Sequence, residues 1–148
     1  MRVMVLLLVM VAMAGGALVA PSPRSARAAC SNDGVYDAAT FERIGGIKVG
    51  RDWLVPWWRY YPDDGRYGLG EPTDMPGCWI FFWPDEAEKV MNFWVGKTNP
   101  PQTFCYIKYC IPNFWNGRGY VVMCADGMFS KSGGIWGACN YHGGVVTR

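Results

Sequence analysis

Six cysteines constrain this chain of 148 residues more than any other feature of its sequence. No two of them form a Cys-x-x-Cys motif and the chain has only one histidine, so the ligand spacing of a zinc site is missing. An even number of cysteines in a small exported domain is typical of a disulfide framework. We therefore predict three disulfide bonds, no metal and no other cofactor. The cysteines are Cys30, Cys78, Cys105, Cys110, Cys124 and Cys139.

One pairing is favoured by local turns, although the sequence does not choose among the others. Asp126-Gly127 and Gly133-Gly134 let the chain between Cys124 and Cys139 turn back on itself. Closing a loop of about 15 residues contributes on the order of 3 kcal/mol in the chain-entropy description. We therefore predict a Cys124–Cys139 disulfide.

The first residues have the pattern of a secretory signal. An apolar run from Val3 to Ala20 is followed by prolines and by the small-x-small motif Ala26-Arg27-Ala28. We predict a signal peptide over 1–28, cleaved after Ala28, and a single exported domain over 29–148. The protein is then secreted or held in the cell envelope, without stable insertion in the membrane after cleavage.

Two alternatives to a cleaved signal remain open. A lipoprotein signal prefers an aliphatic residue three positions before the cysteine, where this chain has Arg27. An uncleaved anchor is an alternative because the apolar run approaches the ~20 residues that span a bilayer. Gly15-Gly16 within the run and the cleavage motif favour the cleaved signal.

The charge balance argues against a nucleic-acid partner. Three of the 14 basic residues and none of the 12 acidic residues lie before residue 29. The exported part therefore carries 11 basic and 12 acidic side chains. A nucleic-acid-binding domain needs a basic face, which this balance does not favour.

The sequence pattern predicts an α+β fold with one amphipathic helix over about 84–95. Pro84 opens this segment, Gly96 follows it, and its apolar residues recur at helical spacing. Asp85, Glu86 and Glu88 could suggest paired catalytic carboxylates, but acidic residues at a helix start are explained by the helix dipole. The apolar residues are Ala87, Val90, Met91 and Trp94.

Short antiparallel strands are expected to complete the domain. Because Pro56 disfavours one central strand, we predict two short extended pieces within 47–69. After residue 124, glycines predict turns with little regular structure. The remaining predictions are a short helix within 36–44 capped by Asp37, a buried strand over 78–83, and strands over 104–111 and 120–123.

The C-terminal segment over 119–148 resembles a bacterial family of small exported domains. Its motifs are Cys124-x-Asp126-Gly127-x-x-Ser130, then Gly137-x-Cys139, then His142-Gly143-Gly144-Val145. The chain is similar to small secreted actinobacterial proteins that carry this ending behind a tryptophan-rich region. The resemblance implies export and a Cys124–Cys139 pair, and no activity is established for the family. Asn140-Tyr141 stands where a serine and a second histidine are common, which argues against a two-histidine metal site.

His142 is the only side chain whose unperturbed pKa lies near neutral pH. With Asp126 and Ser130 it could form the catalytic set of a small extracellular hydrolase, although closeness in sequence is not triad geometry. The alternative is a structural histidine packed beside the Cys124–Cys139 turn. If all cysteines are bridged, no thiol nucleophile is present.

The aromatic content suggests a binding function. The chain has 8 Trp, 8 Tyr and 7 Phe, none of them before residue 29. Some of these rings fill the core, but Trp57, Trp58 and Tyr60 lie in a proline-bracketed segment and Trp115 lies in a loop. Exposed aromatic rings stack on sugars or on partner proteins. We therefore expect a non-enzymatic interaction module that binds cell-wall polysaccharide or a protein partner; an inhibitor of a secreted enzyme is a third hypothesis.

Overall fold

The computed structural model describes residue 30 and residues 33–146, so the signal peptide predicted over 1–28 lies outside the described residues. The described chain forms a five-stranded antiparallel sheet, a two-stranded antiparallel hairpin and short helices, held by three disulfides. This confirms the prediction of a small disulfide-rich α+β domain. Among the described residues no helix is long and apolar enough to cross a membrane.

The larger sheet has the strand order β1-β5-β4-β3-β2, and every neighbouring pair is antiparallel. Its strands are β1 Val35–Asp37, β2 Ile47–Val49, β3 Asp52–Pro56, β4 Tyr67–Pro72 and β5 Cys78–Phe82. The central pair is β3 with β4, in which Trp53 lies opposite Gly70. The separate hairpin consists of β6 Tyr120–Met123 and β7 Phe129–Gly133.

The helices cover this framework. The helix α1, Ala38–Arg43, begins after Asp37, whose carboxylate accepts a hydrogen bond from the Thr40 N–H at 2.8 Å. The other helical elements are α2 Pro84–Asn92, α3 Phe104–Ile107, and 3₁₀ turns at Trp57–Arg59 and Phe114–Asn116. The hydrogen bond between the Thr40 N–H and the Asp37 carboxylate confirms the predicted cap at Asp37.

The two faces of the five-stranded sheet pack against different elements because side chains alternate along β3. Trp53 and Val55 face α1, where Phe41 stacks on Trp53 at 5.5 Å. Leu54 faces the opposite side and belongs to the main core. The other buried members of that core are Leu69, Ala87, Met91, Phe104, Phe114, Val121 and Phe129. This core therefore joins residues that precede the Asn99-Pro100-Pro101 segment with residues that follow it.

The three disulfides link Cys30 to Cys78, Cys105 to Cys110, and Cys124 to Cys139. The described residues contain no free cysteine. The predictions of three disulfides and of the Cys124–Cys139 pair are confirmed. The first bridge ties the start of the described chain to β5.

The strand predicted over 104–111 is wrong, since the chain forms the helical turn α3 there. The Cys105–Cys110 disulfide gives the physical reason. It joins residues only five apart at a Cα–Cα distance of 5.5 Å, whereas five extended residues span about 17 Å. Only Cys110, at the end of the segment, makes an isolated bridge, with Phe129.

The segment over 47–69 also differs from its prediction. The chain reaches Pro56 as one buried strand between β2 and β4, because the proline occupies the last position of β3 and costs no interior ladder bond. The glycine-rich tail, predicted to consist of turns with little regular structure, consists mostly of turns and includes one strand, β7. Its residues pair with the correctly predicted β6.

Two further predictions are corrected, one for the end of a helix and one for the burial of a strand. The helix predicted over 84–95 ends at Asn92, because Val95 bridges to Val121 and the Gly96 N–H donates to the Val121 carbonyl at 2.7 Å. Residues 78–83, predicted as a buried strand, form β5 over Cys78–Phe82, in which only Cys78 is buried, Ile80 is exposed and the other three residues are half-buried.

Candidate functional site

An open cleft lined by aromatic rings lies on the α1 side of the five-stranded sheet. We call it the aromatic cleft, and its volume is about 350 Å³. Its floor includes Val55 of β3, whose side chain faces α1. The rings that line it are those of Tyr36, Trp57, Tyr60, Tyr61, Phe81 and Trp83.

Packing between rings fixes the shape of this cleft. Trp57 stacks on Tyr61 with ring centroids 4.9 Å apart and meets the edge of Trp83, also at 4.9 Å. The Tyr60 hydroxyl donates a hydrogen bond to the Ile44 carbonyl at 2.9 Å, which ties this wall to the end of α1. The rings therefore hold one another in place before any ligand arrives.

The backbone turn after β3 presents these side chains. The 3₁₀ turn begins right after Pro56, and the N–H groups of Tyr60 and Tyr61 both donate to the Trp57 carbonyl at 3.0 Å. The Trp57 N–H donates to the Arg66 carbonyl at 3.1 Å, which closes the loop onto the start of β4. Pro56 ends the strand, and the 3₁₀ turn brings Tyr60 and Tyr61 beside Trp57.

The chemistry of the aromatic cleft is almost wholly apolar. Among the described residues, no Asp, Glu, Lys, Arg, Asn or Gln side chain lines it. Within the part of the chain that the structure describes, the Trp57 indole N–H and the hydroxyls of Tyr36 and Tyr61 make no intramolecular hydrogen bond. The cleft thus offers ring faces and a few free hydrogen-bond donors.

The structure brings together two of the four aromatic residues that the sequence singled out. Trp57 and Tyr60 line the aromatic cleft. Trp58, 36% exposed, instead meets the edge of Tyr67 at 4.6 Å. Trp115 packs on the Phe114 ring in the C-terminal part of the chain. Neither Trp58 nor Trp115 lines the aromatic cleft.

Four rings of the cleft, those of Tyr36, Tyr61, Phe81 and Trp83, were not among the predicted binding residues. Tyr61 follows Tyr60 directly, so the aromatic run contained its signal. Phe81 and Trp83 are two residues apart, and that period places both on one face of an extended segment. Tyr36 comes from β1, which pairs with β5 through a contact between distant parts of the chain. No local sequence pattern predicts that pairing.

A second cleft lies on the opposite side of the same sheet, and we call it the polar cleft. Its volume is about 480 Å³. Asp52 lies on the same face of β3 as Leu54, and the Thr103 hydroxyl donates to its carboxylate at 2.7 Å. The side chains that line the polar cleft include Arg51, Asp52, Glu71, Trp94, Asn99 and Gln102. These residues form no recognisable sequence motif and were not predicted as a site.

Burial dominates the electrostatics of the two carboxyl groups in the polar cleft. It raises the pKa of Asp52, while the Thr103 hydrogen bond and the charges of Lys48 and Arg51 oppose that rise. Burial likewise raises the pKa of Glu71, and the negative charge of Asp52 adds to the rise. Both groups therefore hold a proton to higher pH than an exposed carboxyl does.

The hydrolase candidates come together only in part. Nδ1 of His142 lies 2.5 Å from Oδ2 of Asp126. Ser130 is almost fully buried, and its hydroxyl is 2.6 Å from that of Ser132. Neither serine is hydrogen-bonded to His142 in the described chain. The geometry supports a histidine–aspartate pair and leaves the serine outside it.

No cluster of three or more His, Cys, Asp or Glu side chains suited to a metal ion is found in residue 30 or in 33–146. No family model, curated protein or solved structure matches the chain. The resemblance of 119–148 to small exported bacterial domains therefore stays a prediction.

Proposed function

We propose that the protein is an exported, non-enzymatic interaction module, secreted or associated with the cell wall, whose aromatic cleft binds an extended, proline-rich segment of a protein partner. The observation that carries this proposal is the preformed, charge-free set of six rings around the cleft. The three disulfides support an oxidising compartment, because such bonds persist outside the cytosol.

A peptide fits the aromatic cleft better than the cell-wall polysaccharide that the sequence also suggested. Sugar hydroxyls both donate and accept hydrogen bonds, and carboxylates and amides can complement them, but none of the described residues that line this cleft carries either group. Proline-rich segments instead dock in grooves lined by aromatic rings. Free donors such as the Trp57 indole N–H can bind the carbonyls of an extended peptide.

The binding test uses a fluorescent decaproline peptide and the full exported chain, with fluorescence anisotropy as the readout. Trp57→Ala is expected to weaken binding about tenfold or more, since buried aromatic anchors carry much of an interface's free energy. Trp136→Ala is the matched control because Trp136 is 97% exposed and does not line the aromatic cleft. Thermal unfolding of each variant checks that the fold is kept.

Two results would overturn the peptide proposal. The first is equal affinity of the Trp57→Ala variant and the unmodified protein for decaproline. The second is the absence of decaproline binding together with retention on insoluble cell-wall polysaccharide that Trp57→Ala abolishes. Tyr61→Ala, which removes the stacked partner of Trp57, provides a second variant if Trp57→Ala does not fold.

A further inference from the structure

Two carboxylates face each other across the central strands of the sheet. Trp53 of β3 pairs with Gly70 of β4, so the same antiparallel register places Asp52 opposite Glu71. Side chains at opposed positions point to the same face, with Cβ atoms about 5 Å apart. Like charges at such a position destabilise a sheet. The pair therefore places a like-charge cost on the central strands of the sheet.

Lys48, Arg51 and the Thr103 hydroxyl all favour the charged form of Asp52, so the cost of the like charges falls mainly on Glu71. Asp52 is nine-tenths buried and accepts one hydrogen bond, from Thr103. Glu71 is half-buried, and its carboxylate makes no hydrogen bond or ion pair among the residues that the structure describes. A carboxylate that is half removed from water and lacks an internal partner is available to an external one.

The remaining lining of the polar cleft complements these acceptors. Arg51 supplies guanidinium donors, and Asn99 and Gln102 supply amides that donate and accept. Trp94 adds an aromatic surface, half-buried at the same cleft. Carboxylate, amide, guanidinium and indole together match a ligand that carries many hydroxyl groups on an apolar ring frame.

We propose that the polar cleft is a saccharide-binding site, in which Glu71 and Asp52 accept hydrogen bonds from ligand hydroxyls and Asn99, Gln102 and Arg51 donate to ligand oxygens. This site lies on the opposite face of the sheet from the aromatic cleft. It is independent of the peptide-binding proposal. A chain with both sites would hold a protein partner on one face and a glycan on the other.

The test is a titration of the full exported chain, labelled with nitrogen-15, followed by amide chemical shifts. The probes are soluble tetrasaccharides of β-linked N-acetylglucosamine, β-linked glucose, α-linked glucose and α-linked mannose. At least one is expected to shift the amide signals of Arg51, Asp52, Asn99 and Gln102 in a saturable way. Glu71→Ala is expected to weaken that binding about tenfold or more, because a hydrogen bond to a charged group is lost.

Controls separate this site from the fold and from the aromatic cleft. Glu42→Ala removes an exposed carboxylate on α1, across the sheet, and should leave saccharide affinity unchanged. Trp57→Ala should also leave it unchanged, even if that variant loses peptide binding. If Glu71→Ala fails to fold, Glu71→Gln keeps the side-chain size and one acceptor oxygen and should bind more weakly than the unmodified protein.

The saccharide proposal is overturned if none of the probes shifts the amides around the polar cleft. It is equally overturned if Glu71→Ala, or Glu71→Gln where alanine does not fold, binds as tightly as the unmodified chain. Loss of decaproline binding in Trp57→Ala bears only on the aromatic cleft.

Discussion

Nδ1 of His142 lies 2.5 Å from Oδ2 of Asp126, and this contact joins the last turn of the described chain to the β6–β7 turn. Backbone bonds reinforce the junction, since the Ala125 N–H donates to the Gly144 carbonyl at 2.9 Å. The Cys124–Cys139 disulfide closes the same region covalently. The contact between His142 and Asp126 therefore holds the C-terminal segment against the β6–β7 turn.

Acid should weaken the contact between His142 and Asp126. The Met128 N–H bond and then the His142 contact hold the pKa of Asp126 below its ordinary value. A carboxyl with a lowered folded pKa stabilises the protein above its unfolded pKa of about 4, and that contribution is lost as pH falls through the folded pKa. Asp126→Asn should remove this acid-dependent loss, measured by denaturant unfolding at several pH values from about 2 to 5. If the unfolding free energy of the variant depends on pH in the same way as that of the unmodified protein, Asp126 does not stabilise the fold in this way.

The three disulfides should differ in how much they stabilise the fold. Their sequence separations are 48, 15 and 5 residues for Cys30–Cys78, Cys124–Cys139 and Cys105–Cys110. In the chain-entropy description these loops correspond to about 4, 3 and 2 kcal/mol. Paired Cys→Ser variants, compared by denaturant unfolding, should lose free energy of unfolding in that order. A larger loss at Cys105–Cys110 than at Cys30–Cys78 would mean that native-state effects outweigh loop closure.

Phe41 should be among the most sensitive positions in the core between α1 and the sheet, which it forms with Trp53 and Val55. It is fully buried, stacks on Trp53 and fits against Gly70, where an added Cβ would lie 2.7 Å from the Phe41 ring. Phe41→Ala should cost about 3 to 5 kcal/mol of unfolding free energy by leaving a cavity. Tyr109→Ala, at a 75% exposed ring, should change it by about 0.5 kcal/mol or less. Equal effects of the two variants would exclude this role for Phe41.

The sequence predicted elements whose signals are local. The cap at Asp37 predicts α1, and Pro84 with the apolar spacing after it predicts α2. These signals act within one or two helical turns, and both helices are present. The 104–111 strand failed because its strand-forming residues were read without the Cys105–Cys110 bridge, which closes a tight turn. Which cysteines pair depends on the folded structure and cannot be predicted from composition.

The same limit explains the candidate sites. Trp57 and Tyr60 could be chosen because they sit in one short aromatic run. Asp52 and Glu71 are 19 positions apart and become neighbours only through the β3–β4 register. Since neither carboxyl belongs to a recognisable motif, the polar cleft could emerge only from the folded chain.

The opposed carboxylates also predict how stability depends on pH. Burial and the Asp52 charge raise the pKa of Glu71, so the folded protein keeps a proton that the unfolded chain has already released. The free energy of unfolding should therefore fall as pH rises from about 4 through the folded pKa of Glu71. This direction is opposite to that of Asp126.

Glu71→Gln should reverse this loss at neutral pH. The amide removes the charge opposite Asp52 and keeps the side-chain size, so the free energy of unfolding at pH 7 should rise by about 0.5 kcal/mol after solvent screening. Between about pH 4 and 7 the variant should also show a flatter dependence than the unmodified chain, whereas the Glu42→Gln control on α1 should not. Urea unfolding at four pH values measures both effects. A Glu71→Gln variant less stable at pH 7 would show that the carboxylate supports the fold, and the argument that it is kept for a ligand would fail.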